Sequence, residues 1–284
     1  MYRILIVGAG YVGSRLASHF RSKNQKVWGV TRTSRRRAEL EAMGATPLLA
    51  DLARPETLEA IPPAHFIVIS PAPSARDEAH YRALYLTGIG NLLARLKKNP
   101  RPHLAVYLSS TGVYRDCGGA WVDETAALEP DTGKGRILLE AEEQVLRSGL
   151  PAAVFRLAGI YGPGRNAVER LRKGQWPEEK EDHFLNMIHV EDVVEAMPVL
   201  FNKAEAGGVY LGVDDEPVRR SEFAKWLCGK LGMPAPAGED ISRETAAGGK
   251  RCRNERLKGL GYSFKYPTFR EGYSGLLDAN LGES

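Results

Sequence analysis

The 284-residue sequence predicts an α/β fold, a doubly wound parallel sheet followed by a smaller C-terminal part. Three observations carry this. Short apolar runs of strand length alternate with helical patterns up to residue 160, and parallel neighbours need such crossovers of a dozen residues or more. The first run ends in a glycine-rich turn that opens a helical pattern. After Tyr161 the pattern breaks, with Gly, Pro and charged residues dominating 162–182 before smaller elements return. The expected division is therefore 1–160 and 161–284, the second part interleaved with the first. With 43% apolar and 26% charged residues and a mean hydropathy of −0.31, the chain can bury a sizeable core.

Residues 2–7 are the first predicted strand, because Ile4, Leu5, Ile6 and Val7 form an unbroken apolar run that stops at Gly8. A helix follows over 11–21. Further strands are expected at 26–31, 46–49, 66–70 and 104–109, each a short apolar run. Between the last two, 75–98 reads as one long helix with Tyr81, Leu84, Tyr85, Ile89, Leu92, Leu93 and Leu96 on a broad apolar face. A second long helix is expected at 135–148 and a sixth strand at 152–157, after Pro151. The C-terminal part should hold helices at 191–202, 220–231 and 255–260, a strand at 208–213, and a flexible loop at 234–249.

Gly8-Ala9-Gly10-Tyr11-Val12-Gly13 matches G-x-G-x-x-G where a strand gives way to a helix. Gly8 allows the tight turn, Gly10 lets backbone approach a pyrophosphate, and Gly13 lets helix and strand pack closely. Tyr11 and Val12 begin the helix, whose N–H groups and partial positive charge suit phosphates. The motif thus predicts a Rossmann-type dinucleotide site. For NAD, an acidic residue about 20 positions on would hold the ribose 2′-hydroxyl. No Asp or Glu occurs from 26 to 38, and the chain reads Thr31-Arg32-Thr33-Ser34-Arg35-Arg36-Arg37 instead. Arg32 and Ser34 offer a guanidinium and a hydroxyl suited to a 2′-phosphate, so NADP is preferred over NAD. Arg36 and Arg37 read as a solvated basic helix start. Asp51-Leu52 follows the third strand, where Asp51 suits either the adenine edge or a helix N-cap. Ser70 and Pro71 close the fourth strand, where their backbone would line the ribose and phosphates.

Further strings are Leu108-Ser109-Ser110-Thr111-Gly112-Val113-Tyr114, Glu124 before Pro130, Arg156-Leu157, Ile160-Tyr161-Gly162-Pro163-Gly164-Arg165, Asn186-Met187-Ile188-His189-Val190-Glu191-Asp192 and Tyr266-Pro267-Thr268-Phe269-Arg270-Glu271-Gly272. In this order, together with the glycine turn, they resemble the extended and atypical short-chain dehydrogenases/reductases, the superfamily that includes nucleotide-sugar epimerases and dehydratases. The resemblance covers nearly the whole chain. It implies a Ser/Thr, a Tyr-x-x-x-Lys pair and a helical Asn at the catalytic site. Ser110 matches the first. Alignment on Gly135-Arg136 and Glu142 puts Lys134 at the tyrosine position, Leu138 at the lysine position, and Tyr85 at the asparagine position. In the family that tyrosine is the general acid/base, with its pKa lowered by the lysine, a role worth about 10²- to 10⁴-fold in rate.

Another group must then handle the alcohol proton, and Tyr114, Lys134 and Tyr161 are the candidates. Each also has a structural reading, the tyrosines as pocket walls and Lys134 as a solvated helix-start residue. Ser110 suits a hydrogen bond to a substrate or nicotinamide group, since it ends a parallel strand. Tyr161, Arg165 and Asn186 are the substrate-side candidates, with Arg165 suited to a phosphate or carboxylate or to the surface. His189 reads as structural, with Asp192 as its partner.

The expectation is an NADP-binding oxidoreductase, or an epimerase/dehydratase relative, acting on a small polar, sugar-derived or anionic molecule. The alternative is a non-catalytic NADP sensor that reports to a protein partner. The three cysteines are too far apart for a C-x-x-C pair and no set has metal-ligand spacing, so no metal is expected. A formal charge of +4 is too mild to make nucleic acid the main partner, and no apolar run approaches the ~20 residues that span a bilayer. With no leader pattern in the first ten residues, the cytoplasm is expected. By the resemblance, helices 75–98 and 135–148 correspond to a dimer bundle. Arg82, Arg95, Glu143 and Arg147 make their outward faces polar, so a monomer or a homodimer fits.

Overall fold

The computed structural model describes residues 1–75, 77–173, 182–234 and 248–281. Most of the loop expected at 234–249 lies outside the described residues.

In chain order, β1 (Arg3–Val7) leads through Gly10 into α1 (Tyr11–Ser22), which buries Val12, Leu16, Ala17 and Phe20 at helical spacing. β2 (Lys26–Thr31) is followed by α2 (Ser34–Ala42) and β3 (Thr46–Leu49). Gly29 on β2 lets α2 close onto the sheet, since a Cβ there would sit 2.7 Å from the Leu40 side chain. β4 (Phe66–Ile69) precedes α3 (Glu78–Arg82), a π-helical turn at Ala83–Gly88, and α4 (Ile89–Leu96). β5 (Leu104–Ser110), β6 (Trp121–Val122), α5 (Gly133–Leu146) and β7 (Ala152–Leu157) come next.

The rest of the chain gives β8 (Gly159–Tyr161), α6 (Val168–Arg172), β9 (Phe184–Leu185), β10 (Met187–His189), α7 (Val190–Lys203), β11 (Val209–Gly212), β12 (Val218–Arg219), α8 (Arg220–Leu231), β13 (Arg251–Cys252), α9 (Glu255–Gly259) and α10 (Phe269–Leu281).

Seven strands form one sheet in the order β11-β7-β5-β4-β1-β2-β3, and the pairs β1·β2, β1·β4, β2·β3 and β4·β5 are parallel. This is the expected doubly wound sheet. Chain order reverses between β1 and β4. Val7 pairs with Val30 on one side and Ile69 on the other, so Gly8, Thr31 and Ser70 leave the carboxyl edge together. That reversal point is where open α/β sheets bind ligands.

The expected long helix at 75–98 is α3, the π turn and α4. Asp77 caps it, accepting from His80 N at 2.9 Å. The second long helix begins two residues earlier than expected because Thr132 Oγ1 accepts from Gly135 N at 3.0 Å. α2 was expected only as a basic helix start at Arg36 and Arg37, with no bounds set for it. It buries only Leu40, and its Arg–Glu pairs one turn apart support it in place of an apolar stripe. Arg95, expected to face outward, folds back to donate to the carbonyls of Glu59 and Ile61 at 2.9 and 2.7 Å.

The chain divides into two compact units. The first comprises Met1–Val113, Leu128–Arg156 and Val193–Tyr210, with a core running from Leu5 and Val7 through Ile67, Leu92 and Tyr107 to Ile137 and Val154. The second comprises Tyr114–Ala127, Leu157–Asp192 and Leu211–Ser284, with a core of Tyr161, Val168, Met187, Phe223, Leu227, Phe269 and Tyr273. Among the described residues no helix is long and apolar enough to cross a membrane.

Candidate functional site

A cleft of about 240 Å³ opens in the first unit at the reversal point. Gly8, Ala9 and Gly10 form its floor, Thr31 to Thr33 and Arg36 one side, Asp51 and Leu52 another, and Ser70 to Ala72 the third, with Leu84 facing in from the π turn. The geometry of the floor requires glycine. Gly8 has φ +101°, and a Cβ on it would sit 2.2 Å from the Ser70 carbonyl oxygen. A Cβ on Gly13 would sit 2.1 Å from the Gly8 oxygen, so helix and turn touch there. Gly10 differs, because a Cβ on it would meet nothing within 4 Å and would project into open space.

The N–H groups of Gly8 and Ala9 donate to Val30 O at 3.2 and 3.1 Å, which pins the turn to β2. α1 begins at Gly10 with no side-chain cap and no acidic residue in its first turn, an arrangement that leaves its positive end for an anion. Val12 is buried and Tyr11 carries the Arg15 guanidinium 3.9 Å above its ring, and neither is among the residues that line the cleft.

The arginine run resolves into two kinds of residue. Arg35 and Arg36 both pair with Glu39, and Arg37 pairs with Glu41. Arg32 is exposed at the mouth of the cleft and makes no ion pair with any described residue. Ser34 begins α2 and does not line the cleft, whereas Thr31 and Thr33 do. Arg36, expected to be solvated, also reaches it. Asp51 Oδ1 accepts from Ala53 N at 3.0 Å, closing a local turn rather than capping a helix. Leu52 O accepts from Asn91 Nδ2 at 2.9 Å, and Pro71 O from the Tyr85 hydroxyl at 3.3 Å. Thr33 lies in the run read as a phosphate site, whereas Leu84 and Asn91 had no local signal that tied them to this cleft.

Ser110, the last residue of β5, accepts from Gly112 N at 3.1 Å through Oγ, which orients the hydroxyl. α5 packs against the same turn, since a Cβ on Gly135 would sit 2.6 Å from Gly112 O. Lys134, in the first turn of α5, holds its ammonium 5.6 Å from the Tyr81 ring centroid, and Leu138 packs on the core. Tyr85 is buried, and burial raises its pKa well above the usual tyrosine value. It remains a hydrogen-bond donor at every physiological pH.

The other candidates lie in the second unit. Tyr114 is buried, and its carbonyl accepts from Lys250 Nζ at 3.3 Å. Tyr161 stacks on Tyr273 at 4.7 Å and meets His189 edge-on at 5.2 Å. Its buried hydroxyl has no hydrogen-bond partner among the described residues, and burial, then the Asp214 carboxyl, push its pKa up. Arg165 is exposed at a turn closed by reciprocal Gly162 and Arg165 backbone bonds of 2.9 and 3.0 Å. Asn186 donates to Lys250 O at 2.8 Å and accepts from Cys252 N at 2.7 Å, so its amide fixes β13. Asp192, the partner expected for His189, accepts from Tyr262 Oη and Lys265 N at 2.7 Å and from Tyr266 N at 3.1 Å. No group of three or more His, Cys, Asp or Glu among the described residues could hold a metal ion.

Residues 4–211 match the model of the NAD dependent epimerase/dehydratase family. Protein YeeZ of Escherichia coli K12 is 29% identical over 279 residues, covering 94% of this chain and 97% of that protein. The 4-hydroxy-2-methyl-3-oxo-4-farnesyl-3,4-dihydroquinoline-1-oxide ketoreductase of Stigmatella aurantiaca is 26% identical over 247 residues, 81% of this chain and 73% of that one. The structure of a functionally unknown conserved protein from Silicibacter pomeroyi is similar with TM-score 0.78 and 32% identity, over 98% of this chain and 99% of that one.

Proposed function

We propose that this chain, which belongs to the NAD-dependent epimerase/dehydratase family, binds NADP in the cleft of its first unit and acts as an oxidoreductase or epimerase/dehydratase-like enzyme. Its substrate is a small polar molecule, sugar-derived compounds being the first to test. One observation carries the cofactor reading. Of four arginines between 32 and 37, Arg32 alone has no glutamate partner among the described residues, and it stands at a cleft mouth where the end of β2 offers no carboxylate. A 2′-phosphate satisfies that guanidinium, and a ribose diol does not.

The residues present fit a dinucleotide. The open space over Gly10 and the uncapped start of α1 suit a pyrophosphate, and Asp51, Leu52 and the Ser70–Pro71 backbone suit the adenosine half. When bound, the reduced nicotinamide supplies hydride. The chain's own part is to orient the substrate, with Ser110 donating its hydroxyl to a substrate oxygen, and to handle the alcohol proton. Lys134, in the first turn of α5, is the group available within the first unit; Tyr114 and Tyr161, the other candidates, belong to the second unit. The likeness to a named ketoreductase supports carbonyl reduction. The protein is proposed to work in the cytoplasm, as a monomer or homodimer, with no nucleic-acid or membrane partner.

A second reading, an NADP-binding sensor without catalysis, is favoured by Lys134 and Leu138 at the positions where the family's tyrosine and lysine are expected. Calorimetry with NADPH and NADH tests the cofactor. A screen of aldehydes, ketones and sugar derivatives, followed by NADPH absorbance, tests the chemistry. Tight NADPH binding with turnover supports the enzyme, tight binding with no turnover across the screen supports the sensor, and preference for NADH overturns the cofactor assignment.

A further inference from the structure

Three contacts of the helix that runs through α3, the π turn and α4 fall on opposite sides of the cleft. Asn91 Nδ2 donates to Leu52 O at 2.9 Å, across 39 residues of sequence. The Tyr85 hydroxyl donates to Pro71 O at 3.3 Å. Between these, Gly88 allows contact with the first loop, as a Cβ on it would sit 3.0 Å from Leu52 Cβ. Leu84, packed against the core, also lines the cleft. Both gripped carbonyls belong to loops that leave the sheet edge, after β3 and β4, where no strand partner fixes them. The turn carrying Leu84, Tyr85 and Gly88 is π-helical, one residue wider than an α turn, a distortion common at functional sites.

We propose that this helix is the clamp that sets the spacing of the two loops, with Asn91 and Tyr85 as positioning residues for the bound dinucleotide. The inference rests on the cofactor reading above and extends it to residues that never touch the ligand. Asn91 governs the Asp51–Leu52 wall, which faces the adenosine half, and Tyr85 governs the Ser70–Ala72 wall. Asp51 Oδ1 turns back to Ala53 N at 3.0 Å, so a shift of the Leu52 carbonyl moves the Asp51 carboxylate with it. The high pKa that burial imposes on Tyr85 keeps its proton available for Pro71 O.

The test uses the full chain with Asn91→Asp, which keeps the shape and removes the donor, and Tyr85→Phe, which removes only the hydroxyl. Two measurements are made, calorimetric affinity for NADPH and for adenosine 2′,5′-bisphosphate, and amide hydrogen exchange without ligand. Asn91→Asp is expected to weaken both ligands by the same factor, about 3- to 10-fold, as one lost hydrogen bond transmits. Tyr85→Phe, whose bond is longer, should weaken NADPH by less. Exchange should quicken at 50–53 in the first variant and at Ser70 and Ala72 in the second, with protection of β1 and β5 unchanged, a local pattern that a general loss of stability does not give. If the wild-type chain binds NADPH and the variants bind as tightly, the clamp is overturned, even if exchange quickens. If the wild-type chain does not bind NADPH, it is the reading of the cleft itself that fails.

Discussion

The guanidinium of Arg156 on β7 lies against the carboxylate of Glu142 on α5, with Nη2 2.8 Å from Oε2 and Nε 3.1 Å from both oxygens. Their side chains are 3% and 2% exposed. A buried, two-pronged pair of this kind ties a helix to a strand, but its Coulomb attraction is offset by the desolvation of both charges. Removing one partner should therefore cost far more than removing both. Glu142→Leu is expected to lower the unfolding free energy by about 3–5 kcal/mol, and Glu142→Leu with Arg156→Met to recover most of that loss. Denaturant unfolding of the two variants at neutral pH decides it, and a single-variant loss below about 1 kcal/mol would show the pair to be screened.

Asp214 gives the second unit a pH dependence of defined sign. It is buried, Oδ1 accepts from Glu216 N at 3.2 Å, and Oδ2 has no partner among the described residues. Burial first, then the nearby Glu216, Asp215 and Asp192 carboxylates, hold its pKa well above the usual 3.8. With the folded value above the unfolded one, the stability it contributes is complete below 3.8 and is lost as pH rises through the folded value. Each pH unit between the two is worth about 1.4 kcal/mol. Asp214→Asn keeps the shape of the neutral acid, so its melting temperature should gain on the wild type as pH rises above 4, and level off once the pH passes the folded value. A difference that stays constant over that range would contradict the assignment.

What was legible in the sequence is what local chemistry decides. β1, α1, β2, β3 and β7 announce themselves by unbroken apolar runs or helical spacing, and the glycine turn is a local steric requirement. Which arginine stands unpaired was not legible, because Glu39 and Glu41 reach Arg35 to Arg37 only once 34–42 is helical. Strands such as β6, β9, β12 and β13 have two residues each and so no periodicity to read. Side chains whose use depends on distant backbone were equally silent. Asn186 spends its amide on Lys250 and Cys252, 64 and 66 residues away, and nothing around it in sequence points there.

Arg32, unpaired among the described residues, makes a prediction about selectivity. Arg32→Glu replaces the charge facing the 2′-phosphate with one of the same sign as the ligand. Loss of charge-assisted bonds worth about 1.5–3 kcal/mol should weaken NADPH by roughly 10- to 100-fold, while NADH, which lacks the phosphate, changes little or improves. Because the guanidinium is exposed, the wild-type preference for NADPH should also shrink as salt is raised. Titration calorimetry at two ionic strengths measures both effects. Equal weakening of the two nucleotides would remove Arg32 from the phosphate site.

Gly8 and Gly10 separate folding from binding within one turn. Alanine at Gly8 meets the Ser70 carbonyl at 2.2 Å and the Pro71 Cα at 2.9 Å, at a φ of +101° that side chains rarely adopt. Backbone must shift on β1 or β4, so Gly8→Ala is expected to lower the melting temperature as well as affinity. At Gly10 the backbone is extended, with φ −84° and ψ −150°, and no atom lies within 4 Å of an added Cβ. Gly10→Ala should then cost no more than about 1 kcal/mol, the amount by which alanine is the poorer residue at a helix N-cap. The methyl group nonetheless occupies the space that backbone approach to a pyrophosphate needs, so NADPH affinity should fall by at least about tenfold with a smaller fall in melting temperature than Gly8→Ala gives. Thermal unfolding and calorimetry on the two variants distinguish the roles, and undiminished NADPH binding by Gly10→Ala would mean that the phosphates do not cross the start of α1.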